Sequence, residues 1–420
     1  MPRINTTTLE NDLLLRGVWE GLGTPECHLT GGYLRDRLLG RESVDLDLVL
    51  PGEIDAVRDP ACRLAARLDT SAHILGRGSK RVWRIEAPEI KVELWPLGDL
   101  SLDDDIRRRD FSCNALVWSL PDGPLVDRVG GLADLESGVL RAIKKKNLEE
   151  DPVRLVRAPR FLAQIEGFEL DPVCAAWIGS LAPRLAVAPR ERVGQELLKL
   201  LIASGAEFGL QTLLDLGLLA PAAPAGATPD PAWIEANLGA AARLAGAAPH
   251  PLSAAILEAG CAASLGLLLR AWGVPAAHAV RDYAWGANDR RHAIYAASHL
   301  AELANTVDAS TDERRLLIHR AGTAFPAALA LAAAIEPDHP GWRSWWRQWT
   351  RSGPGLIDPR PLLSGREVAN LLGLEEGPEL GRTISGLSEA QVRGKVRTTN
   401  GARRWLRKNV ETSERWKGKQ

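Results

Sequence analysis

The stretch from His28 to Leu50, HLTGGYLRDRLLGRESVDLDLVL, constrains this chain more than any other. An apolar entry leads into a Gly31-Gly32 turn, a short helix over Tyr33 to Leu39 and a break at Gly40. A strand follows, in which Asp45 and Asp47 alternate with Val44, Leu46, Leu48 and Val49. Side chains two apart on a strand share a face, so the two carboxylates stand side by side. Like charges that close repel unless a cation or a shared proton lies between them. The pair therefore either weakens the fold or holds a cation.

The rest of the chain is read against that pair. At 420 residues it has room for two to four domains, at roughly 100–200 residues each. The net charge of −1 excludes a polycation that coats nucleic acid, so a nucleic-acid surface has to be a local patch. Cys27, Cys62, Cys113, Cys174 and Cys261 are scattered and never in C-x-x-C spacing, which argues against a disulfide framework or zinc site and suits a reducing compartment. The first residues lack the basic-then-apolar order of a signal peptide. The apolar runs are interrupted by Glu258 and Arg270, and by Gly322, Pro326 and Glu336, so no membrane span or membrane partner is expected and the expected location is the cytoplasm.

Taken in order, residues 9–22 and Ala56–Leu68 have helical spacing. Val82–Ile85 and Ile90–Leu94, joined through Ala87-Pro88, predict a hairpin that lays Glu93 beside Asp45 and Asp47. Beyond about residue 140 the chain turns almost wholly helical. Val153, Val156 and Phe161 mark one helix, which Pro159 is expected to end or kink. A second helix follows Pro189. The Pro/Ala-rich 220–232 reads as a linker and the Pro/Gly-rich 352–361 as a boundary. Trp342, Trp345, Trp346 and Trp349 recur at core-stripe spacing. The last thirty residues carry ten Lys or Arg against Glu411 and Glu414, a basic tail.

Glycines let backbone N–H groups approach a phosphate, and the following helix N-terminus adds positive potential. Paired carboxylates with a third nearby bind two Mg²⁺ ions that clamp the attacking and leaving oxygens of an in-line phosphoryl transfer. Alone, D-x-D is usually a solvated strand face and Gly-Gly a simple turn. Together, with a helix between, they point to nucleotidyl transfer.

Four ordered motifs carry a resemblance: GGYLRDRLLG (31–40) with Asp45-Leu-Asp47, RRDFSCNA (108–115), DRVGGLADL (127–135) and EDPVR (150–154). In order and spacing across residues 28–200 the chain resembles the bacterial-type, class II tRNA nucleotidyltransferase and poly(A) polymerase family. The C-terminal stretch from Pro361 to Lys395 is similar to that family's tail segment. The resemblance implies an α+β nucleotidyltransferase head over residues 1–140, a helical neck over 141–205 that recognises the base, a helical body over 206–351 and a basic helical tail over 352–420. It implies catalytic, metal-binding roles for Asp45, Asp47 and Glu93, with two Mg²⁺ ions and CTP and ATP as substrates. Gly31, Gly32 and Arg35 match the triphosphate-contacting motif, and Arg109, Asp110 and Asn114 the motif that holds the ribose. Asp127 to Leu135 match a flexible element.

Asp151 and Arg154, three apart and expected on one helical face, match the pair that reads the incoming base. Cytosine and adenine each show an amino donor beside an unprotonated ring nitrogen, so a carboxylate accepts from one and a guanidinium donates to the other; uracil and guanine present the reverse. Arg157 and Arg160, one turn on, are expected to hold phosphates. The tail residues Arg393, Lys395, Arg397, Arg403, Arg404, Arg407 and Lys408 are expected to hold tRNA, whose acceptor stem and elbow the family's body and tail grip. Where the family often has T-x-R after the third carboxylate, this chain reads Leu94-Trp95-Pro96-Leu97-Gly98. Eleven residues separate Glu93 from Asp105, where many CCA-adding members carry a longer loop, and in the family that shortness accompanies C addition without the final A. A poly(A) polymerase and a non-catalytic RNA-binding protein on the same scaffold are the alternatives. No His-Asp dipeptide occurs, so the phosphohydrolase activity of some long members is not expected.

Overall fold

The computed structural model describes residues 9, 11–24, 26–76, 78, 81–273, 277–306 and 309–417. The chain forms two compact units, Met1–Glu196 with Thr212–Ala222 and Leu197–Gln211 with Ala223–Gln420.

The first unit is built on β1 (His28–Thr30), β2 (Asp45–Leu50), β3 (Ala72–Leu75), β4 (Val82–Ala87), β5 (Ile90–Pro96), β6 (Val117–Ser119) and β7 (Leu125–Val126). They form one sheet in the order β3-β4-β5-β2-β1-β6-β7. The expected hairpin forms as β4 and β5, antiparallel around Pro88 and Glu89. Because β5 runs parallel to β2, Asp47 lies opposite Glu93 and Asp45 opposite Lys91. Strand alternation explains the division of faces: Leu46 and Leu48 of β2 and Ile90, Val92 and Leu94 of β5 are buried, while Lys91, Glu93 and Trp95 are half-buried on the other side.

Helices α1 (Leu13–Leu22), α2 (Gly31–Leu38) and α3 (Arg58–Arg67) accompany the sheet. Asp12 caps α1 through the Leu14 and Leu15 N–H groups and accepts from the Tyr33 hydroxyl at 2.8 Å, which ties α1 to α2. The unit continues through α4 (Leu102–Arg107), α5 (Gly131–Ser137), α6 (Lys145–Glu150), α7 (Arg154–Gln164), α8 (Pro172–Leu181) and α9 (Arg190–Leu201), the last of which runs on into the second unit. Pro159 lies inside α7 and does not end it. It costs the Leu155 carbonyl its usual N–H partner, but Leu155, Val156, Ala158, Pro159, Phe161 and Leu162 are all buried, and that apolar face outweighs one missing bond.

The second unit is helical. The stretch that reads as a linker is anchored at its centre, with the Thr228 N–H donating to the Trp272 carbonyl at 3.0 Å and that of Asp230 to Ala271 at 2.7 Å. The helix Trp342–Ile357 runs on through residues 352–357, so the Pro/Gly stretch ends it later than its composition suggests. Trp342, Trp345 and Trp349 are buried, and the stripe is core. Thr311–Ala321 and Phe325–Ile335 are separate helices, broken as expected at Gly322, whose φ is +55°, and joined by a 3-10 turn over Gly322–Ala324; together they make a stretch of 25 residues long and apolar enough to cross a membrane. Of its most apolar window 72% is buried inside the protein, the character of a core helix.

Candidate functional site

The acidic face of β2 and β5 is framed by a glycine that no other residue replaces easily. β1 ends at Thr30, in register with Asp47, and Gly31 turns the chain into α2 with φ +74°. A Cβ on Gly31 would stand 2.5 Å from Asp47 Oδ2, so the missing side chain both permits the backbone angle and makes room for the carboxylate. Burial, then the neighbouring Glu93, pushes the Asp47 carboxyl above its ordinary value, while Arg109, the Trp95 indole and Arg157 pull against them. The Trp95 indole N–H reaches Asp47 Oδ1 at 3.4 Å. Asp45 is mostly exposed, with Lys91 Nζ at 3.6 Å.

Glu93 is turned toward Arg84, whose Nε donates to Oε1 at 3.1 Å and whose Nη2 donates to the same oxygen; Lys91 Nζ lies 3.8 Å from it. In this arrangement no group of three or more His, Cys, Asp or Glu side chains is gathered closely enough to hold a metal ion, among the described residues. The donor chemistry nevertheless fits a hard divalent cation: two carboxylates stand opposite each other in register, a glycine makes room for one of them, and their mutual repulsion calls for positive charge.

Below this face lies a layer of paired charges. Asp105 receives both Arg108 and Arg109, each at 2.7 Å, so two of the three arginines at 107–109 are structural partners rather than a free charge run. Arg35 donates to Asn114 Oδ1 at 2.7 Å and pairs with Asp36 at 2.9 Å. Asp110 pairs with Arg157 at 2.9 Å, and it accepts from the Phe111 N–H at 2.8 Å. Burial alone would raise the Asp110 carboxyl, but Arg157, the Phe111 N–H and Arg154 hold it below the ordinary value. Arg160 pairs with Glu196 at 2.8 Å, and burial lowers its guanidinium to about 10. Arg35, Arg157 and Arg160 all lie against the Phe161 ring, at 5.0, 5.5 and 3.8 Å from its centroid.

Asp151 and Arg154 are not on one helix. Asp151 ends α6, a turn closed by the Arg154 N–H on the Asp151 carbonyl at 2.9 Å follows, and Arg154 opens α7. Arg154 Nη1 donates to the carbonyls of Arg108 at 2.8 Å and Asn147 at 3.1 Å, while Asn147 itself donates to the carbonyls of Arg107 and Arg109. The Asp151 carboxylate is held in a two-pronged pair by Arg192 of α9, at 2.9 and 2.7 Å. Arg84 and Arg192 escape the sequence reading because their partners are set by strand register and helix packing; the one local sign was the alternation that put Arg84 across the hairpin from Glu93. In the second unit Lys395, Arg397, Arg403, Arg404, Arg407 and Lys408 are exposed and Arg393 half-exposed.

The Poly A polymerase head domain family matches residues 27–141, and the probable RNA and SrmB-binding site of polymerase A matches residues 167–228. The A-adding tRNA nucleotidyltransferase of Deinococcus radiodurans is 30% identical, over 92% of this chain and 96% of its own. The CC-adding tRNA nucleotidyltransferase of Thermus thermophilus is 32% identical, over 90% of this chain and 92% of its own. Among solved structures, the Bacillus stearothermophilus CCA-adding enzyme in complex with CTP superposes with a TM-score of 0.72 over 97% of this chain and 99% of that one, at 23% identity, a likeness of fold. Head motifs, helical remainder and full-length relatives agree: the chain belongs to the class II tRNA nucleotidyltransferase and poly(A) polymerase family.

Proposed function

We propose that this enzyme adds C residues to the 3′ end of tRNA from CTP, without a nucleic-acid template, and stops before the terminal A. The observation that carries the transfer reading is the parallel register that sets Asp47 against Glu93 beside a glycine-opened helix N-terminus. Asp45, Asp47 and Glu93 would hold two Mg²⁺ ions, which when bound stabilise the attacking and leaving oxygens as the tRNA 3′-hydroxyl displaces pyrophosphate. The backbone at Gly31 and Gly32 receives the triphosphate at the start of α2. Asp110 and Asn114, fixed by Arg157 and Arg35, face the ribose.

Asp151 and Arg154 read the base. Arg192 fixes the orientation of the Asp151 carboxylate, which accepts from the cytosine amino group, while Arg154 donates to the ring nitrogen. Arg154→Ala is expected to let UTP compete, with discrimination falling by about tenfold to a hundredfold, the worth of a few kcal/mol of unpaired polar groups. Single-nucleotide incorporation with each NTP measures it, and unchanged fidelity would count against the templating role.

The short connection after Glu93 is what supports stopping before A. Leu97 N–H donates to Leu50, Gly98 N–H to Gly52 and Leu100 N–H to Leu97, and Ser101 then caps α4 in a capping box. That run is pinned at nearly every residue and has no length to spare for a flexible loop. The head (1–140), neck (141–205), body (206–351) and tail (352–420) divide the labour, the basic tail and body holding the acceptor stem and elbow of tRNA in the cytoplasm. A gel of a tRNA transcript lacking CCA, incubated with each NTP in turn, tests the reading. Two added C residues support it; a single A, a complete CCA, a long A tail or no extension each overturns it.

A further inference from the structure

The side chains that disturb the expected metal platform are themselves ordered. β4 sets Arg84 directly across from Glu93, and Lys91 is two residues before Glu93 on the same face of β5. Arg84 donates twice to Glu93 Oε1, while Lys91 lies 3.6 Å from Asp45 and 3.8 Å from that same Glu93 oxygen. Two fixed positive charges therefore already stand on the acidic face, and they meet at one oxygen of one carboxylate. Asp47 has neither of them in ion-pair reach.

We propose that Arg84, assisted by Lys91, is a built-in counter-ion that competes with divalent metal for Glu93, so that the nucleotide-free protein binds metal weakly. The inference rests on the reading of Asp45, Asp47 and Glu93 as the metal platform. Arg84 is a positioning residue: it acts through Glu93 and touches no reacting atom. Its side chain is about a third exposed, at 32%, so it has room to swing away. The negative charge of an arriving triphosphate offers it a second partner, and Glu93 is then free to turn toward Asp47. The protein thereby couples its third metal ligand to the presence of nucleotide.

The test is Mn²⁺ binding to the full chain, followed by electron paramagnetic resonance with and without CTP. Without nucleotide, Arg84→Gln is expected to bind Mn²⁺ roughly fivefold to tenfold more tightly than the unaltered protein, the worth of one nearby charge at a solvent-accessible site. Arg84→Lys, which keeps a point charge, should stay near the unaltered value. With CTP present the gap should close to within about twofold, since the nucleotide has by then displaced the counter-ion. Weaker or unchanged Mn²⁺ binding by Arg84→Gln overturns the proposal. Lys91→Gln, expected to shift affinity the same way by a smaller factor, decides the matter if Arg84→Gln does not fold. Glu93→Gln separates the two levels of the argument: if it binds Mn²⁺ with CTP as well as the unaltered protein does, the metal platform itself is wrong. If it loses the metal while Arg84→Gln and Lys91→Gln change nothing, the counter-ion alone is wrong.

Discussion

Asp47→Asn is expected to lower nucleotide incorporation by at least about 10³-fold, because a neutral amide is a poor ligand for a hard cation and several kcal/mol of transition-state stabilisation go with the metal. Affinity for tRNA should stay within about twofold. The variant should also be more heat-stable than the parent. Asparagine keeps an acceptor for the Trp95 indole N–H, 3.4 Å away, and removes the charge that faces Glu93 across β2 and β5. Single-turnover extension, tRNA binding and a thermal melt together check the prediction. Retained extension would remove Asp47 from the chemistry, and a fall in melting temperature would show that its charge supports the fold.

Asp110→Asn should act in the opposite sense on stability. Asp110 is buried, and its loss leaves Arg157 without its ion-pair partner at 2.9 Å, for a cost of about 2–4 kcal/mol once the partial exposure of Arg157 is allowed for. The pH dependence follows from the direction of the shift. Because the folded protein holds this carboxyl below its ordinary value of 3.8, its contribution is present above that pH and is lost as the pH falls through the lowered folded value. Denaturant titrations should therefore show the largest gap between parent and variant at neutral pH, and the gap should shrink below about pH 4. A gap that persists at the lowest pH would mean that the amide is disruptive for some reason other than charge.

Much of the first unit was legible because its signals are local. Alternation gave the Asp45/Asp47 strand and the hairpin, and two strands of known polarity were enough to bring Glu93 to Asp47. The pairs that tune the site were not legible. Arg192 meets Asp151 across 41 residues, through the packing of a helix whose own pattern shows an ordinary amphipathic face. Asp151 and Arg154 looked like one helical face because a turn of three residues keeps nearly the same spacing as a helix. Pro159 does not end its helix because the one hydrogen bond it removes weighs less than the buried surface on either side of it, which a local rule does not see. In the second unit the Trp stripe announced its burial, and Gly322 announced the break between Thr311–Ala321 and Phe325–Ile335, because a glycine at positive φ is a local signal.

That same stretch has a consequence for how the chain matures. By length and apolarity it meets the requirements of a bilayer span, and Phe325 to Ala334 are buried without exception. Until the rest of the second unit has been made and has closed around it, that apolar surface has no protein partner and is open to other hydrophobic contacts. Arg320, near its middle, sets a cost of about 2.5–3.5 kcal/mol against burial in lipid, while Arg314 and Arg315 lie at its leading end. The helices that pack on it later are therefore more than a core: they replace the lipid that this segment would otherwise resemble a request for.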